Sequence, residues 1–194
     1  MIPHQPHLVL ASESPRRQAL MKLLQIDFEV IASQAVEAAK SNESPTKLVK
    51  RLAKTKAQIV QNKRQTSWVI GADTIVVCNS EILGKPRSMT EAAAMLTKLS
   101  GQSHEVLTGI CIQYLQNCDL TYVRTTVSFS TLTKKEIEDY LITGESLDKA
   151  GAYGIQGYGS RFITDIKGCY FNVMGLPVSH LYKRLKSTGF LTNY

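Results

Sequence analysis

The sequence predicts an α/β chain in which helices flank a mixed β-sheet, arranged as two small lobes with a cleft between them. Three observations lead there. Helical and strand-like segments are mixed without strict alternation, which argues against a purely parallel sheet. Several helix starts carry their own capping residues. No repeat, low-complexity run or Gly/Ser/Pro-rich linker divides the 194 residues, so 1–194 is expected to be a single domain.

Taken in order, residues 7–10 read as a short buried strand. Ser14 then caps a helix whose first position is Pro15, where the missing N–H costs nothing. Leu20, Leu23 and Leu24 give that helix an apolar stripe, and 28–32 reads as a second strand. A longer helix is predicted from Ser44-Pro45 to about Asn62, burying Leu48, Val49, Leu52, Ala53, Ala57 and Val60. Lys47, Lys50, Arg51 and Lys54 stripe its other side, a solvated face or a nucleic-acid contact. Two β-rich runs, 68–70 and 74–77, flank Gly71-Ala72-Asp73. Ser88-x-x-Glu91 is a capping box that opens a helix closed by Gly101. Residues 105–131 suggest a long antiparallel pair broken at 116–119. Thr133-x-x-Glu136 caps another helix ending at Gly144. A glycine-rich stretch, a strand near 161–166 and a helix from Pro177 burying Val178, Leu181, Tyr182 and Leu185 complete the chain.

Composition narrows the function. Hydrophobic residues at 43% and charged residues at 20% are globular values. No apolar run approaches the roughly 20 residues that span a bilayer, and only 8–11 are continuously apolar near the start, too few for a secretory leader. A cytoplasmic protein with no membrane partner is expected. Lys and Arg number 23 against 16 Asp and Glu, a net +7, so the partners are anions: nucleotides, nucleic acid or an anionic surface. Cys78, Cys111, Cys118 and Cys169 match no zinc spacing and read as reduced core thiols. The four histidines form no HxxxH or HExxH, which argues against a zinc enzyme.

Four segments can carry chemistry. In Ser12-Glu13-Ser14-Pro15-Arg16-Arg17, two hydroxyls and two guanidiniums meet a helix N-terminus, a combination suited to polyphosphate or to a plain cap. Asp73 is the lone charge in an apolar stretch. Unpaired burial would cost it several kcal/mol, so it either bonds backbone N–H groups at a strand break or acts as metal ligand or general base. Gly84-Lys85-Pro86 holds an ammonium in a turn that suits phosphate oxygens, or simply a hairpin tip. The glycines of 148–157 permit close backbone approach to a ligand, with Gln156 available to read a base edge.

Together with Gly71-Ala72-Asp73-Thr74, Asp148-Lys149-Ala150-Gly151-x-Tyr153-x-Ile155-Gln156-Gly157 and Gly175-Leu176-Pro177, these segments resemble the Maf family of nucleoside triphosphate pyrophosphatases over about 8–185. The resemblance implies an elongated mixed sheet, a homodimer, a nucleotide in the cleft and a divalent cation, Mg or Mn. It implies that Asp73 accepts a proton from water and that Glu37 helps hold metal or water. Where the family carries two consecutive acidic residues, this chain has Val36-Glu37 and keeps the second. Lys85, Lys56 and Arg16, with the hydroxyls of Ser12 and Ser14, match groups that engage the triphosphate. Arg17, Thr74 and Gln156 look like the specificity set of the dTTP/UTP branch rather than the branch acting on 7-methyl-GTP. A small polar Thr74 and the Gln156 amide suit a pyrimidine edge. The alternative outside catalysis is a nucleotide- or nucleic-acid-binding regulator of cell division.

Overall fold

A computed structural model describes residues 7–193. Its centre is a seven-stranded mixed sheet in the order β2-β1-β3-β5-β6-β7, with β4 paired to β3. The strands are β1 (Leu8–Leu10), β2 (Glu29–Val30), β3 (Trp68–Cys78), β4 (Glu81–Leu83), β5 (Ser103–Tyr114), β6 (Asn117–Phe129) and β7 (Ile163–Lys167). The helices are α1 (Pro15–Lys22), α2 (Pro45–Gln61), α3 (Met89–Leu99), α4 (Lys134–Ile142), α5 (Tyr170–Val173) and α6 (Val178–Ser187). β1 runs parallel to β2 and β3, whereas β4 and β7 run antiparallel to β3 and β6. None of the helices among the described residues is long and apolar enough to cross a membrane.

One sequence expectation about strands is corrected and one strand is added. The 68–70 and 74–77 runs are one continuous strand, so Gly71-Ala72-Asp73 is not a break. Tertiary packing overrides the turn preference of Gly and Asp, because the segment is buried from Val69 to Ala72 and at Asp73. β4 is the added strand. Asn79 and Ser80 both take positive φ, the conformation of a two-residue hairpin turn, and send the chain back along β3.

The chain divides into two compact units, the first comprising residues up to 73, 108–123 and from 175 onward, the second 74–107 and 124–174. In the first, α2 packs Ala53, Ala57 and Val60 against Val9, Val69 and Cys111. Glycine makes this approach close. A Cβ on Gly71 would fall on the Ala53 carbonyl and 2.7 Å from the Ala57 nitrogen, and one on Gly109 would strike the Val49 carbonyl. Trp68 stacks on Tyr114 at 4.4 Å and meets the edge of Phe190. The predicted apolar faces need adjustment at their margins. α1 buries Arg17, Leu20 and Met21 while Leu23 is exposed, and α6 buries Leu181 and Leu185 while Tyr182 is exposed. Cys111 is buried, but Cys118 is exposed with its Sγ 3.3 Å away, so Cys118 is not a core thiol.

The second unit is built around Val76, Leu96, Leu99, Phe129, Tyr140 and Phe162. Both capping signals place their helices. Thr133 and Glu136 form a complete box on α4, whereas Glu91 of α3 accepts instead from the Arg87 backbone N–H, one residue before the Ser88 cap. His104 is buried against Phe129 and Tyr153, with Nε2 2.7 Å from the Tyr153 hydroxyl.

Burial holds the His104 pKa down from 6.5 to about 4. Below 6.5 the unfolded chain therefore binds a proton that the folded chain refuses. This contribution to stability is complete above pH 6.5 and is lost as pH falls towards 4, by roughly 3 kcal/mol. Urea midpoints measured between about pH 7 and pH 4.5 should fall more steeply for the wild type than for His104→Leu, which has nothing there to protonate. Equal slopes would show that His104 does not set this dependence.

Candidate functional site

The first unit gathers most of the residues singled out from the sequence. β1 ends at Leu10, and Ser12 and Ser14 follow before α1 begins. The Ser14 hydroxyl accepts from the Arg17 backbone N–H as the cap, and the Ser12 hydroxyl accepts from the Ser14 N–H. The Arg17 guanidinium turns inward, donating Nε–H to the Gly175 carbonyl at 2.8 Å and Nη1–H to Ser12 Oγ. Both hydroxyls act as acceptors in these bonds, so each keeps a hydrogen to give. Arg16, one position along, is half-buried. The result is a helix N-terminus with hydroxyl donors and guanidiniums beside it, an arrangement that favours phosphate.

Asp73 lies on the same face of β3 as Gly71, against α2, and is 4% exposed. Its Oδ1 accepts from Lys56 Nζ at 2.6 Å. The same ammonium stands 2.5 Å from Glu37 Oε1. Burial is the largest influence on Asp73 and lifts its pKa above the usual 3.8, against the opposing pull of Lys56 and Arg17. Burial likewise lowers the Arg17 guanidinium below its ordinary value, with Asp73 and Glu37 pulling the other way. A guanidinium stays charged under such a shift. The two buried cations, Lys56 and Arg17, are thus balanced by two carboxylates, the buried Asp73 and the half-exposed Glu37.

Lys56 carried a signal of its own in the sequence. It follows Val49, Leu52 and Ala53 at helical spacing, a lysine in the middle of the apolar face of α2. A cation there needs a buried partner, and Asp73 supplies it. Arg51 departs from the expected solvated stripe. It holds Glu43 with two hydrogen bonds of 2.7 Å and donates to the Ala38 carbonyl, clamping the segment after Glu37 onto α2. The Glu43 carboxyl is pulled down to about 2 by that hydrogen bonding.

Thr74, Lys85 and Gln156 belong to the second unit. Thr74 follows Asp73 on β3, and strand alternation gives it the face of Val76, which packs against Gly151. The Gly84 carbonyl accepts from the Gly151 N–H at 3.1 Å, tying the Gly84-Lys85-Pro86 segment, which is irregular and follows β4 rather than forming the expected turn or hairpin tip, to the 148–157 segment. Lys85 and Gln156 are both exposed. The glycines here also serve an internal contact. The carboxylate of Glu145, a residue that sequence reasoning passed over, approaches the backbone at Gly157 and, together with the Lys149 side chain, at Gly154. Glycines at 154, 157 and 159 were the available signal, since each must make room for something.

Residues 7–188 match the family model described as Maf-like protein. The chain belongs to the Maf family. It is 48% identical over 94% of its length to 98% of a dTTP/UTP pyrophosphatase of Geobacillus sp. strain WCH70. A dTTP/UTP pyrophosphatase of Halalkalibacterium halodurans is 47% identical, covering 96% of this chain and 98% of its own. One from Desulforamulus reducens is 48% identical, covering 94% and 96%. Among solved structures, the Staphylococcus aureus Ham1 protein aligns at a TM-score of 0.45 and 16% identity, over 63% of this chain and 71% of its own.

A divalent cation fits the donors of this Maf protein. Asp73 and Glu37 converge on one cationic centre, the Lys56 ammonium. Two carboxylates are what Mg takes from a protein when phosphates and water complete its shell. Among the described residues no group of three or more His, Cys, Asp or Glu could hold a metal. Any such ion would therefore depend on the oxygens of a bound triphosphate.

Proposed function

We propose that the protein is a nucleoside triphosphate pyrophosphatase that hydrolyses dTTP and UTP to the monophosphate and pyrophosphate. The observation that carries this is the near-full-length identity of about half to relatives bearing that name. The geometry of the first unit supports it.

In this reading Asp73 takes or orients the proton of a water attacking the α-phosphorus. Burial suits it to the task, since a carboxylate lifted above the ordinary range is a stronger base. Lys56 and Arg17 oppose that lift and favour the ionised form. The α1 N-terminus, the hydroxyls of Ser12 and Ser14, Arg16 and Lys56 bind the triphosphate, and Lys85 neutralises charge on the departing pyrophosphate. Asp73 and Glu37 would hold the Mg or Mn ion, which supplies further neutralisation of phosphate oxygens when bound. Arg17, Thr74 and Gln156 form the specificity set. The Arg17 guanidinium is committed to Gly175 and Ser12, so its share is exercised through them. A homodimer and a cytoplasmic setting complete the proposal and rest on the family resemblance.

The test is pyrophosphate release from dTTP, UTP, CTP, GTP and 7-methyl-GTP with Mg or Mn. Turnover concentrated on dTTP and UTP supports the reading. Turnover of 7-methyl-GTP instead keeps the chemistry and overturns the specificity set. Binding without turnover of any triphosphate overturns the enzyme.

The Lys56–Asp73 pair makes a separate prediction. Activity needs ionised Asp73, so the rate falls on the acid side as Asp73 gains a proton. Removing the ammonium removes an influence that lowers the Asp73 pKa. Lys56→Met should therefore move the acid limb of the kcat/KM profile to higher pH, besides weakening triphosphate binding. A limb that stays in place would detach Asp73 from the titration.

A further inference from the structure

The segment around Gln156 is held by a carboxylate. Glu145 lies just beyond α4, and both of its oxygens point into the backbone of the glycine-rich turn. The Tyr158 N–H donates to Oε2 at 2.8 Å and the Gly159 N–H to Oε1 at 3.3 Å. The Tyr140 hydroxyl also donates to Oε1, at 3.0 Å, and accepts from the Gly154 N–H. Two successive backbone N–H groups aimed at one anion form a nest of the kind that elsewhere binds phosphate. Here the chain fills the nest itself.

The glycines follow from that occupancy. A Cβ on Gly157 would overlap Glu145 Oε2, and a Cβ on Gly154 would lie 2.6 Å from Oε1. A Cβ on Gly159 would lie 2.8 Å from the Gly154 carbonyl. The spacing Gly154-x-x-Gly157-x-Gly159 thus makes room for the Glu145 carboxylate at Gly154 and Gly157, for Lys149 at Gly154, and for the chain's own backbone at Gly159. Gln156 sits between the two anchored points. Gly154, two residues before it, is held through Tyr140, and Tyr158, two residues after it, is held by Glu145 directly. Ile155 is buried while Gln156 is exposed, so the turn leaves the Gln156 side chain open to solvent.

We propose that Glu145 is a positioning residue for substrate selection: by bridging Tyr140, Tyr158 and Gly159 it holds the turn on which Gln156 presents its amide to the pyrimidine. This rests on the reading of Gln156 as the group that recognises the base. Gln at 145 keeps the shape but replaces one acceptor oxygen with a donor that faces N–H groups. The turn then loosens without any change to the residues of the first unit.

The experiment compares kcat/KM for dTTP and for GTP in the full chain, its Glu145→Gln and Gln156→Ala variants and the double variant, with thermal unfolding of each. Gln156→Ala is expected to lower the dTTP-over-GTP ratio about tenfold, the worth of one lost base-edge hydrogen bond. Glu145→Gln should lower the same ratio by a similar factor, mainly through KM for dTTP, and the double variant should lose no more than the larger single. Tyr140→Phe, which keeps the ring in the core and removes one donor, should produce the same effect more weakly, about threefold. It serves as the test should Glu145→Gln not fold. If Gln156→Ala leaves the ratio unchanged, base reading by Gln156 fails, and this inference with it. If Gln156→Ala lowers the ratio but Glu145→Gln or Tyr140→Phe does not, only the positioning role is overturned. Equal losses on dTTP and GTP would also overturn it, marking Glu145 as support for the fold alone.

Discussion

Asp73→Asn is expected to reduce pyrophosphate release from dTTP by about 10²–10⁴-fold, the usual contribution of a positioned general base. Nucleotide affinity and the fold should survive. Asn keeps the shape of the side chain and an oxygen for Lys56, but it cannot take a proton from water. The stability side has two opposing parts. Lys56 loses one of its two carboxylates, and a buried cation stripped of all partners costs several kcal/mol. Glu37 remains beside it, however, at 2.5 Å. The raised pKa of Asp73 also means that the fold tolerates its charge poorly, so neutralising it relieves desolvation. A Tm near or above that of the wild type, together with lost turnover, is the expected signature of a residue kept for chemistry. Turnover within tenfold of the wild type would sink the assigned role.

The second large effect concerns packing. Gly71→Ala and Gly109→Ala should each destabilise the protein by about 3 kcal/mol or more, at the upper end of what overpacking costs. In both cases the new Cβ meets helix backbone, the Ala53 carbonyl or the Val49 carbonyl, which cannot rotate aside as a side chain could. The only relief is for α2 to lift from β3 and β5, and α2 carries Lys56. Displacements near 1 Å can cost about 10²-fold in rate, so activity should fall beyond what the folded fraction explains. Gly84→Ala is the matched control: its Cβ would meet nothing within 4 Å and its φ is not positive. That variant should unfold within about 0.5 kcal/mol of the wild type. Chemical denaturation of the three variants decides the matter, and equal stability would show that the helix has slack.

The contrast between local and distant information runs through the molecule. Ser14, Ser44, Ser88 and Thr133 all cap helices where the sequence placed them, because capping is settled within four residues. The course of β3 through Gly71-Ala72-Asp73 was not legible, because neighbouring strands and α2 decide it. The exposure of Leu23 and Tyr182 could not be foreseen either, since short helices leave the edges of their buried faces undefined. At the site, Asp73 announced itself as a lone charge in an apolar run. Its assembly with Glu37, Lys56, Arg17 and Ser12 spans more than sixty positions, and only the family resemblance pointed to it. Glu145 escaped notice because an isolated glutamate after a helix has no local mark, although the glycines that surround it in space do.

Trp68 has a practical consequence. It is the only tryptophan in the chain, and it stacks on Tyr114 within the first unit. Excitation on the red edge of the indole band therefore reports on that unit alone, three residues from Gly71, while the other unit is dark. Fluorescence and far-ultraviolet circular dichroism followed through the same denaturant titration thus form an internal comparison that needs no label. Superimposed curves mean that the chain melts as one cooperative body. Separated curves mean that the half carrying Asp73 and the half carrying Gln156 have stabilities of their own.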